Sequence, residues 1–192
     1  MRLDFNTFVI TGPSTETTTT TKILNGAVNA GGGLGMNQAS TCATDVFTIT
    51  NAENLPEMCG TLTGEHVYFD ADNDCHDLAF ALGQTGVDAT IPTNRQISIK
   101  VTQYSCDFNN LAPQGCDQYY FGSTATGTVK TFNYDGGYHL ANQHQHICVR
   151  REINNCKVCW SADTITDVAL SGLDNNGIVK VTCLQYWNKF IV

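Results

Sequence analysis

Met1-Arg-Leu-Asp-Phe-Asn-Thr-Phe-Val-Ile10 sets apolar residues against polar ones in the manner of a β-strand. Short runs of the same kind recur along the chain, bounded by Gly, Asn, Asp and Pro. They predict strands at Leu3–Ile10, Asp45–Thr50, His66–Phe69, Leu78–Leu82, Gln96–Gln103 and Gln118–Phe121. Further strands are expected at Thr128–Phe132, His146–Arg150, Lys157–Trp160, Asp167–Leu170, Ile178–Leu184 and Asn188–Val192. No window repeats apolar residues at i, i+3, i+4 and i+7 with capping residues, so helices are not expected. Many short strands with turn chemistry between them predict an all-β sandwich. The stretch 11–40 interrupts the pattern. It is polar and glycine-rich, with Gly31-Gly32-Gly33, and reads as a long insertion between strands. Its five-threonine run, Thr17–Thr21, suits either O-glycosylation or a plain solvated loop.

The chain has 192 residues, 42% hydrophobic and only 15% charged, with a net charge of −8. That length holds one large domain or two small ones. The negative balance disfavours nucleic acid and anionic membrane surfaces, which need clustered Lys and Arg. No run of about 18 apolar residues exists to span a bilayer. Met1 opens a strand rather than a signal sequence, so a secreted protein would carry this chain as a mature or internal portion. No Asn-x-Ser/Thr acceptor occurs.

Nine cysteines are many for this length. The one close pair, Cys156-Lys-Val-Cys159, lacks the second pair that a thiolate zinc site needs. Disulfides formed in an oxidising compartment are the expected use. The odd number leaves at least one thiol free, bonded to another chain, or without its partner in this stretch. Catalytic signatures are missing: there is no G-x-S-x-G, no GxxxxGK[ST] and no GxGxxG. An enzyme is therefore not expected.

Six segments, in order, resemble the CUB family, and specifically the tandem-CUB extracellular proteins of insects and other arthropods. Cys42-Ala-Thr-Asp45 followed by Cys59-Gly60 resembles the second disulfide of a CUB module. Gly64-Glu-His-Val-Tyr-Phe-Asp70 resembles a G-Q-H-x-Y-x-D strand, and Arg95–Cys106 resembles R-x-W-x-I-K-V-x-Q-I-x-C. Ala112-Pro-Gln-Gly-Cys116 resembles A-P-x-G-C. Gly127–Tyr134 with His139-Leu-Ala-Asn-Gln143 resembles G-x-I-x-S-F-N-Y and H-L-A-N-Q. Ile147-Cys-Val-Arg-Arg-Glu152, through Cys156 and Trp160, resembles I-C-I-R-R-E…C…W.

The resemblance implies an antiparallel, jelly-roll-type β-sandwich in two units out of frame with the chain ends. Residues 1–105 would be a unit lacking its opening strands; residues 106–192 would be a second unit, cut near its middle. It implies a secreted, non-enzymatic protein-interaction or structural module whose partner is an extracellular protein or a second copy, assembling into oligomers or filaments. Two other readings are the non-catalytic region of a secreted protease and a carbohydrate-binding sandwich.

The pairings it implies are Cys42–Cys59, Cys116–Cys148 and Cys106–Cys156. Cys106–Cys116 with Cys148–Cys156 is the local alternative. Cys75 and Cys159 fall outside the family pattern. They either pair with each other, leaving Cys183 unpaired or intermolecular, or Cys159 takes Cys183 and Cys75 stays free. Many CUB modules hold calcium. Asp45 matches one ligand of that set, while the other positions lack carboxylates, so no cofactor is expected beyond a weak calcium candidate there. Asp70, Asp72 and Asp74 form a separate acidic stretch, a second calcium candidate with oxygen ligands at alternate positions that also reads as a solvated acidic turn. His144 and His146 share a face if extended and read as surface polar residues. Arg150-Arg151 reads as a counter-charge to Glu152.

Overall fold

The structure is a computed structural model. It describes residues 1–13, 41–52, 55–71, 75–83, 94–122, 126–140 and 143–161, with the backbone of Thr182–Leu184 and Lys189–Ile191. Its alternating N-terminal run becomes β1 (Arg2–Val9), and β2 (Asp45–Ile49), β3 (His66–Tyr68), β4 (Leu78–Leu82) and β5 (Gln96–Thr102) follow. After them come β6 (Gln118–Tyr120), β7 (His146–Val149), β8 (Val158–Trp160), β9 (Thr182–Leu184) and β10 (Lys189–Ile191). The one helical element among the described residues is a single 3-10 turn at Tyr134–Gly136.

β1 is the middle strand of a sheet ordered β3-β1-β5, antiparallel to both neighbours. A register shift lies between Phe5 and Thr7, where Asn6 takes the extra place of a β-bulge. The bulge solves a parity problem. Leu3 and Phe5 point inward two residues apart, and the extra residue returns Phe8 to that same face. β2 and β4 form a second antiparallel ladder that pairs Phe47 with Phe80.

The inward residues of the two ladders make one aromatic core. Phe5 and Phe8 meet Phe47 edge to face, with centroids 6.0 and 5.3 Å away, and Phe47 stacks on Phe80 at 4.7 Å. Such pairs add about 0.5–1.5 kcal/mol each beyond the area they bury. Leu62, Met58 and Val67 complete the cluster, and so do Phe132 and Leu140, from much further along the chain.

β7 lies between β10, antiparallel, and β6, parallel. That parallel pair is a departure from a wholly antiparallel sandwich. It arises because a long excursion between Tyr120 and His146 leaves the chain free to return in the same direction. β6 is also tied to β3: the Tyr68 amide donates to the Asp117 carbonyl at 2.7 Å. β8 pairs with β9.

The strand expected at Thr128–Phe132 does not form. Phe132 donates its backbone N–H to the Gln145 side chain, and Asn133 turns left-handed at φ 63°, ending any ladder there. The run expected at Asp167–Leu170 and the Thr17–Thr21 stretch lie outside the described residues.

Phe47→Ala should lower the unfolding free energy by about 3–5 kcal/mol, because the ring is fully buried among three others. Urea denaturation followed by fluorescence and by circular dichroism measures it.

Candidate functional site

Asp45, the first residue of β2, is fully buried and fully satisfied. Arg95 grips it with two hydrogen bonds, Nε to Oδ2 and Nη2 to Oδ1, both 2.7 Å. The amide of Thr11 donates to Oδ2 at 2.8 Å and that of Gly83 to Oδ1 at 3.0 Å. Arg95 Nη2 also donates to the Gly83 carbonyl at 2.8 Å. Burial pushes the Asp45 carboxyl up, but these donors outweigh it and hold it at about 2. Asp45 is thus not placed as a calcium ligand: a guanidinium supplies its positive charge, and amides take the lone pairs a metal would need.

Asp70 is exposed, while Asp72 and Asp74 lie outside the described residues. Among the described residues no three His, Cys, Asp or Glu side chains converge to hold a metal. His144 and His146 stack edge to face at 4.5 Å. Arg150 pairs with Glu152 at 2.8 Å, contacts Asn110 and covers the Phe121 ring at 5.0 Å.

Two disulfides join described cysteines. Cys42–Cys59 lies beside the start of β2, and Cys116–Cys148 joins the approach to β6 with β7. Each contributes about 3–4 kcal/mol by shrinking the unfolded ensemble. Two expected pairings need correction. Cys106 and Cys156 are both free and exposed, so Cys106–Cys156 does not form here. Cys75 is also free, in the segment before β4, where the Asn51 side chain donates to its carbonyl at 3.3 Å. Cys159 already carries a disulfide, which removes it as a partner for Cys75. The β8–β9 register sets the Cys159 backbone opposite that of Cys183, whose side chain lies outside the described residues.

A second polar site escaped sequence reasoning. Glu65 and His66 are buried where β3 meets the segment around β6 and the 3-10 turn. His66 Nε2 accepts the Tyr119 amide at 3.2 Å, so it is unprotonated there. Burial, with Arg2 adding to it, lowers His66 to about 4. Neither Glu65 oxygen has a hydrogen-bond partner, and burial, reinforced by Asp135 and opposed by Lys130, raises the group to about 8. The signal was a single residue: Glu65 stands where the resembling motif has Gln. Beside it Asn133 locks the seam, accepting from the Thr61 amide at 2.9 Å and donating to the Tyr138 carbonyl at 2.8 Å. Gly60, at φ 86°, is required there because a Cβ would run into the Asn133 carboxamide.

The third feature is an unfinished edge. Ile97, Ile99 and Val101 of β5 stand opposite Phe8, Phe5 and Leu3 of β1, which puts them on the core-directed face. Yet Ile97 is 40% and Val101 49% exposed. Leu82, at the end of β4, is 47% exposed. Among the described residues no strand pairs with the outer edge of β5.

Residues 113–189 match the family model of the animal CUB domain. The match is to animal CUB domains in general and does not single out arthropods. The nearly helix-free fold of mostly antiparallel strands agrees with a CUB sandwich. No curated protein and no solved structure matches the chain. CUB domains mediate protein interactions, generally without catalysis, and with disulfides they are typical of extracellular proteins. Among the described residues no helix is long and apolar enough to cross a membrane.

Arg95→Met should destabilise the fold, since it leaves a buried carboxylate without its counter-charge. Asp45→Asn in the same chain should recover part of that loss, as read from denaturant midpoints.

The buried acid and base also set a pH profile. Between the ordinary 4.5 and about 8 the folded chain keeps a proton on Glu65 that the unfolded chain releases, so stability falls as pH rises. Between 6.5 and about 4 the unfolded chain takes a proton that His66 refuses when folded, so stability falls as pH drops. From 6.5 to 8 only Glu65 acts of the two, and Glu65→Gln should flatten that limb of the thermal-midpoint profile.

Proposed function

We propose that this chain is a secreted, non-enzymatic protein-binding module whose working surface is the open edge of the β1–β5 sheet. The observation that carries the reading is the exposure of Ile97 and Val101 on the core-directed face of β5. An edge strand with free backbone groups and half-exposed apolar side chains is a template for an extended segment of another protein. Main-chain hydrogen bonds would supply affinity, and alternate side chains would fill the uncovered margin of the core. The CUB match over 113–189 and the two disulfides support an extracellular setting for this work.

Lys100 stands in the middle of β5 and is exposed, so its amine reports occupancy of the edge. An amine-reactive cross-linker applied to the chain secreted from animal cells should join Lys100 to lysines of other polypeptides, as identified by mass spectrometry. Cross-links from Lys100 that stay within one chain under all conditions would overturn the reading.

A further inference from the structure

We propose that the occupant of the β5 edge is a second copy of this chain, its own Gln96–Thr102 strand running antiparallel about a two-fold axis at Ile99. The proposal rests on the reading of β5 as the binding edge and names its partner. Two observations select a copy over an unrelated strand.

The first is that the β5 sequence complements itself. In Gln96-Ile-Ser-Ile-Lys-Val-Thr102, a two-fold centred on Ile99 sets Ile97 against Val101 of the copy and Ile99 against Ile99. It sets Gln96 against Thr102 and Ser98 against Lys100. Every apolar residue on the core-directed face meets an apolar residue. The single charge on the strand meets a hydroxyl directly opposite rather than its own kind, and the two Lys100 residues are only diagonal neighbours. This is the isologous geometry that a two-fold dimer demands.

The second is where the exposed apolar surface lies. Ile97 and Val101 are the ends of the core-directed row whose centre, Ile99, is already packed against the core. A copy approaching along the edge brings its own Val101 and Ile97 to those two uncovered positions. The sheet would then run β3-β1-β5 and on through the partner's strands in reverse order.

The test uses charge at Ser98, an exposed position on the outer face whose change leaves the core untouched. Ser98→Lys puts two like-charge pairs across the two-fold and should weaken the dimer about tenfold by sedimentation equilibrium. Ser98→Glu puts two opposite-charge pairs there and should tighten it about tenfold, with the gain fading at high salt. Both variants should keep the thermal midpoint of the parent at high dilution. Register is read separately, in a background with Cys75, Cys106 and Cys156 each changed to Ser. There Ser98→Cys with Lys100→Cys should give a covalent dimer on air oxidation, and Gln96→Cys with Ser98→Cys should not.

A chain that is monomeric at every concentration, or Ser98 variants that shift association in the same direction or not at all, would overturn the proposal. If Lys100 still cross-links to other proteins in that case, the binding-edge reading survives and only the identity of the partner fails. If Lys100 shows no intermolecular cross-link, both fail together.

Discussion

One carboxylate holds four strand ends in place. Asp45 begins β2, Thr11 follows β1, Gly83 follows β4 and Arg95 precedes β5, and all four meet at the two oxygens of Asp45. Each of these segments must leave its ladder there, and a chain leaving a ladder exposes unpaired amides. Two of those amides are satisfied by the carboxylate itself. The charge is tolerated in a dry position because a planar guanidinium meets both oxygens at once, a geometry Lys cannot reproduce. Cys42–Cys59 closes its loop three residues before Asp45, so the covalent staple and the ion pair fix the same end of β2. The facing of the two ladders, and with it the phenylalanine core, depends on that corner.

The open edge of β5 is intelligible from the same corner. An edge strand usually needs a neighbour, a bulge or a cover to hold it flat and guarded. β5 is instead pinned just before its first residue by Arg95 and along its length by seven paired positions with β1. Among the described residues it stays extended with one side unpaired and the margin of its apolar row exposed. Lys100 is the guard against indiscriminate pairing. A charge in mid-strand penalises every register that brings it against another cation, and so narrows the permitted partners rather than abolishing them.

Strand existence was legible because one face of each ladder is buried and the alternation records that face. Phe47 and Phe80, Leu3 and Phe5 could be placed inward from period alone. The run at 128–132 misled for a physical reason: Phe132 is buried, but its backbone is satisfied by the Gln145 side chain rather than by a strand, which leaves the same alternation. Asp45 stood out as an acidic residue awaiting a cation. Its cation is Arg95, fifty positions away, and nothing in local spacing announces a partner at that distance. Cys42–Cys59 forms across 17 residues and Cys116–Cys148 across 32, as the resemblance implied, while Cys106 and Cys156 are free and exposed. Connectivity is a property of the folded surface and is weakly encoded in order along the chain.

The seam at Glu65 and His66 shows how a single substitution changes the physics of a buried position while leaving its shape. A glutamine there carries no charge at any pH. A glutamate of almost the same volume must keep a proton to stay buried, because neither oxygen finds a donor and Asp135 repels the anion. Its neighbour must shed one, since His66 Nε2 accepts an amide from Tyr119 and Arg2 disfavours a second cation. Adjacent residues at the start of β3 are thus both neutral, an acid held protonated and a base held deprotonated, for one reason: the surroundings solvate neither ion. The seam joins β3 to β6 and to the turn held by Asn133, inside the region that matches the CUB domain. Part of the contact between the early strands and that region is therefore set by these two protonation states.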